Sequence, residues 1–155
     1  MRRKDREVTS YEKMLEIVES CDCCRIGLVD EDGAYIVPLN FGYEEKDGEL
    51  ILYFHGAKEG KKIDLIKDQA TASFEMDTKH ELVEGNVPCA YSYLFRSVMG
   101  KGKIELLEDY QEKVHGLLSV MAHYSDKTDW SFPEKMVNSM AVIRLTVREW
   151  SCKEH

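Results

Sequence analysis

The run of residues 38–62 leaves this chain few ways to fold. It reads Pro38-Leu39-Asn40-Phe41-Gly42-Tyr43, an Asp47-Gly48 pair, Leu50-Ile51-Leu52-Tyr53-Phe54-His55, then Gly56-Ala57-Lys58-Glu59-Gly60-Lys61-Lys62. A two-residue hairpin needs positive φ, which Asp-Gly tolerates, so the pair predicts two antiparallel strands joined by a tight turn. Asp32-Gly33, between the β-rich residues 25–29 and Tyr35-Ile36-Val37, predicts another such hairpin just upstream. Past the Leu50–His55 run, a loop with two glycines opens on a helix that begins with paired lysines. Orphan backbone N–H groups, the positive end of the helix dipole and two ammonium groups make that a place for a phosphate.

The remaining elements follow from capping and periodicity. Thr9-Ser10-Tyr11-Glu12 offers a capping box, and Tyr11, Met14, Leu15 and Val18 recur at helical spacing. Pro38 cannot donate to a ladder and is expected at a bulge or an edge. Ile63, Leu65 and Ile66 predict a short helix, and residues 71–76 alternate as a strand. Residues 77–91, polar and carrying Gly85 and Pro88, read as a loop; residues 92–107 are β-like again, bent at Gly100 and Gly102. Asp109-Tyr110-Gln111-Glu112 is a second capping box, with Val114, Leu117, Leu118 and Met121 as the apolar stripe behind it. After a turn-rich connector that holds Trp130 and Phe132, residues 141–150 alternate as a closing strand. Six or seven strands in hairpins with helices around them make an α+β domain with a largely antiparallel barrel.

Composition removes several classes of function. The 155 residues suit one domain spanning positions 1–155, and a net charge of −8 argues against sequence-independent nucleic-acid binding. No run approaches the roughly 20 apolar residues of a membrane span, and the charged start Met1-Arg2-Arg3-Lys4 leads into no apolar stretch, so a cytoplasmic protein is expected. Cys21, Cys23, Cys24, Cys89 and Cys152 read as free thiols. Only Cys21 and Cys24 have zinc spacing and no second pair follows, so no metal is expected. Glu44-Glu45 with Asp47 reads as a solvated hairpin end, and His115 and His123 as surface or packing residues.

Tyr35-Ile36-Val37-Pro38-Leu39-Asn40-Phe41-Gly42-Tyr43, Tyr53-Phe54-His55-Gly56-Ala57, Gly60-Lys61-Lys62, Ser97-Val98 with Gly100 and Gly102, and Glu112-Lys113 occur in this order over nearly the whole chain. Together they resemble the nitroimidazole-resistance branch of the pyridoxamine 5′-phosphate oxidase-like family. The resemblance implies a six-stranded antiparallel split β-barrel with peripheral helices, a homodimer, and FMN in clefts at the dimer interface. It also implies that Pro38, Leu39, Asn40 and Phe41 lie along the isoalloxazine ring, with their backbone groups pairing its polar edge. His55, Gly56 and Ala57 would end the next strand beside the cofactor, Lys61 and Lys62 would hold its phosphate, and Ser97 and Val98 would complete the phosphate side. In that branch His55 is the candidate catalytic proton donor, a role its ordinary pKa near neutrality suits.

The function so implied is an FMN-dependent reductase of small nitroaromatic or similar acceptors, drawing electrons from a nicotinamide nucleotide. Two alternatives stay open: a pyridoxamine 5′-phosphate oxidase-like oxidase, and a non-catalytic flavin- or haem-binding module. Against the oxidase, the chain ends in Val147-Arg148-Glu149-Trp150-Ser151-Cys152-Lys153-Glu154-His155, without an arginine-rich segment to grip a phosphorylated substrate.

Overall fold

The computed structural model describes residues 3–155; Met1 and Arg2, the first positions of the charged N-terminal run, lie outside the described residues. The strands are β1 (Glu7–Val8), β2 (Cys24–Asp30), β3 (Gly33–Leu39), β4 (Gly42–Lys46), β5 (Glu49–Ala57), β6 (Thr71–Val83), β7 (Ser92–Leu106) and β8 (Met140–Glu154). Four α-helices accompany them: α1 (Tyr11–Glu19), α2 (Lys61–Asp68), α3 (Tyr110–Tyr124) and α4 (Glu134–Ser139). All strand pairs are antiparallel, in the order β3-β2-β6-β7-β8-β5-β4, with β1 added beside β8.

This is an open eight-stranded sheet, and it corrects the expected six-stranded split barrel. β3 pairs only with β2 and β4 only with β5, so no ladder closes the ring. The cause lies where the chain crosses from one edge to the other. Asn40 and Phe41 carry the chain from Leu39 on one edge to Gly42 on the other, a span of at most about 10 Å. Pro38 has no N–H to offer across that gap, and the Phe41 N–H donates instead to the Tyr124 hydroxyl at 3.2 Å. The edges are tethered there but not hydrogen-bonded to each other.

The two hairpins differ. At the second, Asp47 (φ 55°) and Gly48 (φ 83°) form the two-residue turn, with Lys46 opposite Glu49. At the first, Gly33 is already paired with Asp30, so the turn is Glu31-Asp32, one residue earlier than expected. The Asp30 carboxylate accepts the Glu31 N–H at 2.9 Å and starts the turn early. The loop expected over residues 77–91 also begins later, because Glu81, Leu82 and Val83 pair with Leu94, Tyr93 and Ser92 beyond a register shift at Lys79 and His80.

Helix caps follow the sequence closely. The Asp109 carboxylate accepts the Gln111 and Glu112 N–H groups at 2.9 and 3.0 Å, and Ser10, not Thr9, caps α1. The buried face of α3 is Lys113, Gly116, Leu117 and Val120, whereas Leu118 is exposed. A Cβ on Gly116 would lie 2.9 Å from both the Tyr53 ring and Val142, so the missing side chain brings the helix down on that face.

Alternation along β5 feeds two cores. Leu50, Leu52 and Phe54 enter the main cluster with Ile17, Val18, Ile26, Ile63 and Ile66, while Tyr53 joins Leu117, Val120, Val137 and Val142 beneath α3 and α4. Glu44 is not solvated as expected: it accepts the Tyr53 hydroxyl at 2.5 Å and contacts His115 Nε2 at 2.7 Å, which ties β4 and β5 to α3.

The five cysteines form no disulfide, and Cys21, Cys24 and Cys152 sit in the main core. Burial pushes the Cys21 and Cys152 thiols up to about 12, and Cys24 well above its ordinary value. Titration of the native protein with an aromatic disulfide should therefore show Cys89 reacting fast, the half-buried Cys23 more slowly, and three thiols only after denaturation. Three or more fast thiols in the native state would show that the main core around Cys21, Cys24 and Cys152 opens readily.

Candidate functional site

The C-terminal end of β5 and the start of α2 gather most of the expected site. His55, Gly56 and Ala57 lie opposite Val142, Ala141 and Met140 of β8. Strand alternation puts His55 on the Tyr53 side of the sheet and Gly56 on the Phe54 side. His55 is half-buried, and its Nδ1 is buried with no hydrogen-bond partner among the described residues. Burial first, and then the charge of Lys62, lower its pKa from the ordinary 6.5, so at neutral pH the ring is uncharged.

Gly60, at φ 117°, caps α2 without a side chain to bond the first turn. Its carbonyl accepts the Ile63 and Asp64 N–H groups at 2.8 and 3.2 Å. The two lysines then diverge. Lys61 pairs with the Asp30 carboxylate at the β2–β3 turn and stands 5.4 Å from the centre of the Tyr35 ring. Lys62 turns back onto β5, where a Cβ on Gly56 would be 2.8 Å from its Nζ. It is half-buried, burial lowers its pKa, and no carboxylate among the described residues pairs with it.

The other expected residues divide. The register of Gly42 on Tyr53 leads Asn40 and Phe41 toward the His55 end of β5, and Asn40 is exposed there. Phe41 is fully buried, with its ring 4.3 Å from His123, and its N–H is already taken by Tyr124. Leu39 packs partly on the main core, and Pro38 lies exposed opposite Arg25. Ser97 and Val98 are not brought to this place. They face Lys153 and Cys152 of β8, whereas His55 faces Val142; the eleven residue steps from Val142 to Lys153 are on the order of 35 Å of strand. Within the chain Val98 is wholly buried in the main core.

Three features of this end suit a flavin monophosphate: among the described residues, a partly desolvated lysine has no counterion, a helix start has no side-chain cap, and a histidine nitrogen has no partner. Phe41 does not suit it, because neither its ring nor its N–H is free. Asp30, Tyr35 and Tyr124 carry no local sequence signal of their part here, since each acts through a partner far away in the chain. On the α3 side, Phe132 packs on the second core cluster, and Trp130 keeps its Nε1 buried and unpartnered under Lys127, 4.6 Å from the ring centre.

Comparison with known proteins adds to this geometry. The family profile described as pyridoxamine 5′-phosphate oxidase matches residues 10–154. A crystal structure of a candidate 5-nitroimidazole antibiotic resistance protein from Bacteroides thetaiotaomicron superposes with a TM-score of 0.83 at 31% identity, covering 96% of this chain and 86% of that one. The flavocytochrome Anf3 from Azotobacter vinelandii shares the fold at TM-score 0.82 and 21% identity, over 100% of this chain and 72% of its own. The FAD and haem binding protein from Mycobacterium smegmatis does so at 0.76 and 16%, over 96% and 73%. No curated protein sequence matches the chain. Among the described residues, no helix is long and apolar enough to cross a membrane.

Proposed function

Since the chain belongs to the pyridoxamine 5′-phosphate oxidase family and is akin to its nitroimidazole-resistance members, we propose that it is an FMN-dependent reductase of small nitroaromatic or similar acceptors, supplied with electrons by a nicotinamide nucleotide. The observation that carries this reading is Lys62, a partly desolvated cation with no carboxylate partner among the described residues, folded against Gly56, the residue that follows His55 in β5. When bound, FMN supplies the electron chemistry. The chain's own share is to hold and orient it.

Lys62 and the uncapped N–H groups of α2 would meet the phosphate, and Gly56 leaves the room for Lys62 to reach it. Neutral His55 would use Nδ1 to make one hydrogen bond to the ring or to the acceptor. As a proton donor it must first be charged. Burial is the larger cause of the lowered His55 pKa and would remain, but a phosphate beside Lys62 would offset the second cause, the charge of Lys62, so occupancy favours protonation of His55. Ser97, remote within one chain, would reach the cofactor from the second chain of a homodimer.

FMN titration followed by fluorescence quenching tests this reading, with saturation expected at one FMN per chain. The His55 ring should titrate below pH 6.5 in the free protein and move upward on adding FMN. Anaerobic NADH or NADPH should bleach the bound flavin, and a nitroaromatic should restore its colour. Saturable binding with neither bleaching nor recovery would make the protein a flavin carrier, and absence of FMN binding would end the reductase reading.

A further inference from the structure

We infer that Lys61 is not a phosphate ligand but one half of a latch, and that Asp30 is a positioning residue that sets Lys62 for the cofactor phosphate; this rests on the FMN reading above. Successive residues of an α-helix project about 100° apart, so the first two lysines of α2 do not face one small anion. The structure shows that divergence directly: Lys61 goes to Asp30 and the face of Tyr35, and Lys62 goes to Gly56. Asp30 is itself fixed, since one oxygen holds the Glu31 N–H of the turn while the other takes Lys61.

The far end of α2 is fastened to the same strand. The Gln69 side chain accepts the Val29 N–H at 3.0 Å and donates to the Val29 carbonyl at 3.2 Å, like an added strand residue. The helix is thereby pinned at both ends to the last two residues of β2, and it packs Ile63 and Ile66 into the core between those pins. Among the described residues, no side-chain hydrogen bond caps the helix at Gly60, which lies at φ 117°, and no ion pair holds Lys58 or Glu59 before it. Releasing the N-terminal pin leaves the core contacts intact and frees the first turn, which is the part that carries Lys62. Electrostatics agree: the pair raises the Lys61 pKa and lowers that of Asp30, whereas Lys62 gains no such partner.

A double-mutant cycle with two ligands tests the latch. FMN and riboflavin, which lacks the phosphate, are titrated against wild type, Asp30→Asn, Lys61→Ala, the double variant and Lys61→Arg. The expected result is about three- to fivefold weaker FMN binding for each of the first two variants, the range an exposed ion pair can transmit, with riboflavin unchanged. The double variant should be no weaker than either single one, and Lys61→Arg, which keeps the charge for Asp30, should match wild type. Loss in Lys61→Ala without loss in Asp30→Asn would mean that Lys61 touches the phosphate itself, and the latch would be wrong. A parallel fall in riboflavin binding would reduce the pair to general support of the fold. Should Lys62→Ala bind FMN as wild type does, the phosphate placement fails first and the latch with it.

Discussion

Lys62→Ala is expected to weaken FMN binding by about 10- to 100-fold and to leave riboflavin binding unchanged. A hydrogen bond to a charged group contributes about 1.5–3 kcal/mol, and each 1.4 kcal/mol is a factor of ten. Lys62 sits at the upper part of that range by its surroundings, because it is half-buried and answers to no carboxylate among the described residues. The same circumstances give the variant a second signature. A partly desolvated cation with no partner among the described residues opposes folding, so Lys62→Ala should leave the FMN-free protein at least as stable as wild type. Weaker FMN binding together with equal or higher Tm cannot be ascribed to damage to the fold. An equal loss of riboflavin, or no loss of FMN, would place the phosphate elsewhere.

Whether the two lysines act alike was not legible in the chain. Lys61-Lys62 predicts a cationic helix start, and the start is there, but the partner that removes Lys61 from the pair is Asp30, thirty-one positions earlier. Adjacent identical residues carry no signal of which way each will face; only the docking of α2 on β2 decides it. His55 tells a similar story. Its place at a strand end follows from the alternation of Leu50 through Phe54, while its uncharged state follows from burial and from Lys62, which strand periodicity does not encode.

Turns and caps were legible to the extent that their chemistry is local. Asp47-Gly48 takes positive φ at both positions and Asp109 bonds two N–H groups of its own first turn, each within a few residues. At the first hairpin the Asx bond of Asp30 overrode the Asp-Gly signal by one place. The outer part of β6 was hidden for a different reason. Lys79, His80, Glu81, Leu82 and Val83 are all exposed, so no alternation marks them, and their pairing depends on β7 residues met only after the intervening loop. Closure was the least legible property. Hairpin order predicts which neighbours pair, but whether the outermost strands meet depends on one short crossing at Asn40 and Phe41 and on the competing hydroxyl of Tyr124.

That crossing also locates the substitution expected to harm the fold most. Gly42→Ala should cost about 1–3 kcal/mol or more, a fall in Tm on the order of 5–10 °C. A Cβ on Gly42 would lie 2.3 Å from Ser119 C and from Val120 N, which are backbone atoms of α3 and cannot swing aside as a side chain does. To admit one methyl, α3 must lift from β4 along a line already fixed by the Ser119 hydroxyl on the Tyr43 carbonyl, 3.2 Å, and by His115 on Glu44. Tyr124, at the end of α3, would withdraw with it, and the Phe41 N–H would lose its partner. Disturbance of the Asn40-Phe41 crossing should then appear as weaker binding of riboflavin as well as of FMN, unlike the effect of Lys62→Ala. Gly27→Ala is the control, since a Cβ there meets nothing nearer than 3.9 Å. Equal Tm values for the two alanine variants would show that α3 yields freely over β4, and that the contact between them does not hold the crossing in place.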